Sequence, residues 1–140
     1  MKPHLPLCAS AAVLLCACVS TNAALIDPTV HLARTCPSAI KLYMTPDKVG
    51  RPYREVALLN AKGESNWSNE EDMIESMRDK AAEVGANGII LGGIDEPSAL
   101  TKVIGQVAKT GSQRKGKALA IYVASDSATT ATVCRNAKEK

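Results

Sequence analysis

The segment closest to a catalytic signature is Gly111-Ser112-Gln113-Arg114-Lys115-Gly116-Lys117-Ala118. A phosphate-cradling loop needs glycines at this kind of spacing, a lysine to reach the phosphates, and then a Ser or Thr hydroxyl for magnesium. Ala118 stands where the hydroxyl is required, and an apolar run typical of a strand follows where a helix should open. The segment therefore reads as a flexible basic loop, not a nucleotide site. Asp95 and Glu96 are adjacent carboxylates, but neighbours on an extended segment point to opposite faces, the wrong arrangement for an acid–base pair. His31 has no Ser and acid in a recognisable constellation around it. The expectation is a protein that is not an enzyme and carries no cofactor.

Composition narrows the class further. Of 140 residues, 17 are Lys or Arg and 14 are Asp or Glu, a formal charge of +3, and 46% are apolar with no Phe, one Trp and three Tyr. These values exclude a disordered chain, a multi-domain enzyme, a multispan membrane protein and a strongly basic nucleic-acid binder. One small domain with a shallow, mostly aliphatic core remains.

The first residues carry an address. Leu5 to Ala17 is apolar or small apart from Ser10 and has no charge, too short for the roughly 20 apolar residues of a spanning helix but suited to a secretory signal. Its end, Leu15-Cys16-Ala17-Cys18, resembles the lipobox of bacterial lipoproteins. That resemblance implies cleavage before Cys18, a diacylglyceryl thioether on its sulfur, and an anchor in the membrane. Val19 follows in place of Asp, which by the same resemblance favours an outer-membrane lipoprotein facing the periplasm over an inner-membrane one. An ordinary signal-peptidase cut after Thr21-Asn22-Ala23 is the alternative, and would leave a soluble periplasmic or secreted protein without Cys18. Cleavage at Cys18 leaves Cys36 and Cys134 as an even pair in an oxidising compartment, which predicts a disulfide. With His31 alone beside them they are too few for a structural zinc site.

The elements that must position these residues follow from periodicity. Residues 18–38 have little charge and no clear period, and read as the lipidated N-terminus and a tether. A globular domain spans 39–124. Its expected strands are Ile40–Met44, Tyr53–Leu59, Ile89–Ile94 and Ala118–Ala124, with Gly92-Gly93 as a bulge or close approach. A helix is predicted over 69–84. Ser68 and Glu71 form its capping box, Met73, Ile74, Met77, Ala81 and Val84 its apolar face, and Gly85 its stop. The order is β-β-α-β-β, an α+β two-layer fold with one helix on a four-stranded sheet. Residues 125–140 read as a polar tail that swings Cys134 back to Cys36, provided the first and last strands are antiparallel neighbours.

From Lys102 to Lys117 there are five basic residues and no acid, whereas the helix carries six acids against Arg78 and Lys80. Lys109, Arg114, Lys115 and Lys117 are therefore candidate contacts for an anionic partner, the bland alternative being a solvated loop. Finally, Lys80-Ala81-Ala82-Glu83-Val84-Gly85-Ala86-Asn87-Gly88-Ile89-Ile90-Leu91 resembles the small envelope proteins of the RcsF/YbjQ-like fold. The approach through Tyr53 to Gly63 and the closing Gly116–Ile121 are similar too. The resemblance covers about 39–124 and is structural, not catalytic. It implies a lipoprotein that reports envelope damage through contacts with outer-membrane or periplasmic proteins. The second expectation, from the basic run, is a periplasmic module that binds a small anion or a lipid headgroup.

Overall fold

The computed structural model describes residues 19–64, 68–95 and 113–139. Among them are five strands, β1 (Val19–Leu25), β2 (Lys41–Tyr43), β3 (Arg54–Glu64), β4 (Gly88–Asp95) and β5 (Gln113–Tyr122), and two helices, α1 (Glu70–Glu83) and α2 (Ser127–Lys138). The strands make one mixed sheet in the order β1-β3-β5-β4-β2. All neighbours are antiparallel except β2 and β4. The architecture is α+β, with one strand and one helix more than the periodicity predicts.

Helix α1 forms where the pattern places it, with its cap one residue later. The Asn69 side chain accepts from the Asp72 amide and the Asp72 carboxylate accepts from the Asn69 amide, both at 2.9 Å. Ser68 is displaced from the capping role because it is buried and its hydroxyl donates to the Glu64 carbonyl at 2.7 Å. Met73, Met77 and Ala81 are fully buried against Ala57, Leu59, Ala61, Ile89, Ala118 and Ala120 of the sheet. The many alanines on the strands leave room for the helix methionines, so this core is filled without Phe. Gly85 ends the helix at φ 81°, and a Cβ there would lie 2.4 Å from that of Leu32, so glycine is required twice over.

The first part of the segment expected to be a tether, residues 19–25, is the edge strand β1. It pairs with β3 from Val19 opposite Gly63 to Leu25 opposite Ala57. Val19 and Ala23 pack against the main core, and Thr21 shares a 2.7 Å hydrogen bond with Ser76 of α1. Period-2 alternation is present, but its inward residues are small or polar, so it carries little hydropathy signal. Strand β5 starts at Gln113, five residues before the expected run, because β3 is long enough to pair it through Glu64. The segment 113–117, with Arg114, Lys115 and Lys117, is thus strand rather than loop. The expected bulge occurs in β4, where the register with β5 shifts between Leu91 and Gly93 and a Cβ on Gly92 would meet the Lys117 carbonyl at 3.1 Å.

The expected pairing of first and last predicted strands does not occur: β4 lies between β2 and β5. Asn87, in the turn before β4, fixes that arrangement. Its side-chain amide donates to the Val123 carbonyl at 2.9 Å and its side-chain oxygen accepts from the Val123 amide at 2.7 Å. Its backbone bridges Ile121 and Lys41. A buried Asn with both ends of its amide satisfied holds three strand ends in register.

Truncating Met77 to Ala should lower stability by about 2–5 kcal/mol, because a fully buried methionine leaves a cavity under the helix. Asn69→Ala should cost only about 1 kcal/mol through the lost cap. Urea unfolding of the two variants checks the ranking, and equal costs would contradict the assigned helix face.

Candidate functional site

Helix α1 covers one face of the sheet only. On the other face the 3-10 turn at Pro46–Val49 and the flanking Tyr43 and Tyr53 pack over Ile90, Ile121 and Val123, forming a second, smaller core at one end. No described element covers the rest of that face. Its apolar half carries Leu58, 53% exposed, and half-buried Leu119 opposite it, with Met44 at the rim, 63% exposed. Together with Ile90 and Pro46 they line a shallow depression of about 480 Å³.

Its other half is cationic. The β3–β5 register sets Lys62 opposite Lys115 and Asn60 opposite Lys117, all four exposed. Like charges directly across a ladder destabilise a sheet. Asp95 stands opposite Lys115 in the β4 register, on the far side from Lys62. The outer surface of α1 has the reverse sign, with exposed Glu70, Glu71, Glu75 and Asp79. Charge is therefore segregated between the two layers.

Of the four basic residues singled out in the sequence, Lys115 and Lys117 share this face. Arg114 points to the helix side, half-buried, and donates to the Ser68 carbonyl at 2.7 Å, which ties β5 to the approach of α1. Lys109 and Cys18 lie outside the described residues. Lys62 joins the site through strand register alone, a tertiary property with no local signal in the sequence.

The chain's C-terminal part is no loose tail. Residues 127–138 form α2, and Cys134 is bonded to Cys36, with Cα atoms 5.5 Å apart. Helix α2 buries only Thr130, so apolar packing contributes little to holding it. Two ties replace packing. The disulfide closes a sequence separation of 98 residues, worth up to about 4.7 kcal/mol by loop-closure entropy. Just before α2, buried Asp126 accepts hydrogen bonds from Lys41, at 2.8 Å, and from Arg51. The staple lies at the end of the sheet where Lys41, Gly88 and Ile121 align, whereas β1 begins at the Gly63 end. The chain does not enter the domain beside its disulfide, as a tether stapled at Cys36 would require.

Among the described residues, no three His, Cys, Asp or Glu side chains gather where a metal ion could be held. No helix among them is long and apolar enough to cross a membrane. Neither a family model nor a curated protein sequence matches the chain. Among solved structures it is similar to the Francisella virulence factor FvfA, at 16% identity and a TM-score of 0.50, over 73% of this chain and 96% of that one. At that identity the likeness concerns the fold.

Hydrogen bonding from Lys41, and then the charges of Lys41 and Arg51, hold the Asp126 carboxyl below the ordinary aspartate range despite burial acting the other way. A group with a depressed folded-state pKa stabilises the fold above its unfolded value, about 3.9, and loses that contribution as pH falls through the folded value. Asp126→Asn should therefore cost about 1–2 kcal/mol at neutral pH, at the lower end for charged hydrogen bonds because both cations are nearly half exposed. The gap between variant and parent should close in strong acid. Thermal unfolding across a pH series measures it, and a gap independent of pH would contradict the assignment.

Proposed function

We propose that the chain is an outer-membrane lipoprotein, anchored through an acylated Cys18, whose domain is an interaction module of the cell envelope and not an enzyme. The observation that carries this reading is the Cys36–Cys134 disulfide. Disulfides persist in oxidising compartments. This one also takes up two of the three cysteines that follow residue 17, so Cys18 is the thiol left for acylation. The lipobox resemblance and the uncharged stretch from Leu5 to Ala17 agree. Stress sensing through protein contacts rests on the resemblance to RcsF/YbjQ-like envelope proteins, and the open face and the acidic helix give a partner two chemically different surfaces to meet.

A second reading, an anion- or headgroup-binding module, is favoured by one specific observation, the Lys62, Lys115 and Lys117 group on the open face. The two readings are compatible, because a domain resting on headgroups with its sheet leaves α1 turned toward the periplasm.

Intact mass of the protein extracted from membranes should give a chain beginning at Cys18 with added acyl mass, and its release should need detergent. A soluble chain beginning at Ala24 without lipid would overturn the anchor.

A further inference from the structure

We infer that the sheet face opposite α1 lies against the anionic surface of the membrane in which Cys18 is anchored. The inference deepens the proposed function and rests on Cys18 as the anchor. Three observations meet at this face.

The first is where the chain outside the described residues begins. Cys18 directly precedes Val19, the first residue of β1, and Val19 stands opposite Gly63. One residue spans at most about 3.6 Å, so an acylated Cys18 holds the bilayer surface at this edge of the sheet, with no tether between. Ser20 pairs with Lys62, and Lys62 with Lys115, so both lysines sit at the anchored end.

The second is charge. Lys62 and Lys115 face each other across the ladder with Lys117 two residues further along the same face, and all three side chains are exposed. Asp95 stands beside Lys115 in the β4 register but on the far side from Lys62, and lipid phosphates would relieve the repulsion between the two facing lysines. Basic groups near an anionic leaflet are attracted individually and weakly, and the attraction fades within a Debye length. The anchor overcomes that weakness, since it makes the contact intramolecular and raises the effective concentration of headgroups at these lysines. The acidic outer side of α1 is repelled by the same surface, so the segregated charge orients the domain with its sheet inward.

The third is the apolar half of the face. Leu58 and Met44 are exposed beside the lysines, on the same surface. Against a bilayer they meet the headgroup–acyl boundary, while the lysine stems lie along it with their ammonium groups among the phosphates. A lone exposed leucine needs no explanation, but an apolar patch continuous with a cationic one and next to a lipid anchor matches this occupant.

Lysine labelling tests the arrangement. The full lipidated protein is reconstituted into vesicles of phosphatidylcholine alone or with phosphatidylglycerol, treated briefly with an amine-reactive reagent, and mapped by mass spectrometry. Lys62, Lys115 and Lys117 should be labelled several-fold more slowly on the anionic vesicles and regain their rates in high salt. Lys80 on α1 and Lys138 on α2 should label equally on both. Inorganic phosphate at matched ionic strength, with the protein in detergent, should leave the three rates unchanged. Equal rates on the two vesicle types would overturn the inference, as would slowing by phosphate alone, which would make the face a soluble-anion site. Slowing in native envelopes but not in lipid vesicles would overturn it in favour of a protein partner. Acylated protein with unprotected lysines would refute only the docking, whereas absence of acyl mass on Cys18 would refute the anchor as well.

Discussion

Among the described residues, the packing of helix α1 on one face of the five-stranded sheet is the constraint from which the rest of the structure follows. The sheet faces α1 with Ala57, Ala61, Ala118 and Ala120, and the helix answers with Met73, Met77 and Ala81. Small residues on the strands and flexible, polarisable methionines on the helix fill the layer without Phe. One helix can bury only one face. The opposite face is therefore left to the short turn-rich connector around Val49, which shields Ile90, Ile121 and Val123 but not Leu58. The open half of the sheet is thus a consequence of element number. The placement there of Lys62, Lys115 and Lys117 is what gives it chemistry.

The same limit explains how the chain's ends are secured. Strand β1 gains its place by hydrogen-bonding along β3 and by slipping Val19 and Ala23 under α1. Helix α2 has no comparable apolar face, and the Cys36–Cys134 bond and the Asp126 ion pairs hold it at the opposite end of the sheet. The start of β1 and the disulfide staple are separated by the length of the strands. A covalent restraint at one end of the sheet leaves the cationic end at Lys62 and Lys115 unconstrained by it.

How much of this was legible in the sequence depends on how each element earns its stability. Helix α1 and strand β4 stand on apolar burial, and both are plain in the residue pattern, down to the bulge at Gly92. The Cys36–Cys134 pair follows from counting cysteines once a cleavage site is assumed. Strand β1 and helix α2 are held by backbone pairing, a disulfide and an ion pair, none of which leaves hydropathy periodicity, so they read as tether and tail. The first half of β5 looked like a loop because Lys115 and Lys117 face outward and Arg114 spends its charge on the Ser68 carbonyl. The site itself was half visible. Lys115 and Lys117 stand out as charges, but Lys62 becomes their neighbour only through the β3–β5 register.

Methionine oxidation offers the most direct check on the one-sided packing of the sheet. Met44 lies at the rim of the open face, 63% exposed, whereas Met73 and Met77 are fully buried beneath α1. Brief treatment of the folded protein with hydrogen peroxide, followed by peptide mass spectrometry, reads the three residues independently. The account predicts rapid sulfoxide formation at Met44, with Met73 and Met77 protected until the protein is unfolded by urea. Oxidation of Met73 or Met77 at the rate of Met44 in the native state would show that α1 does not cover that face, and would contradict the fold on which the open surface depends.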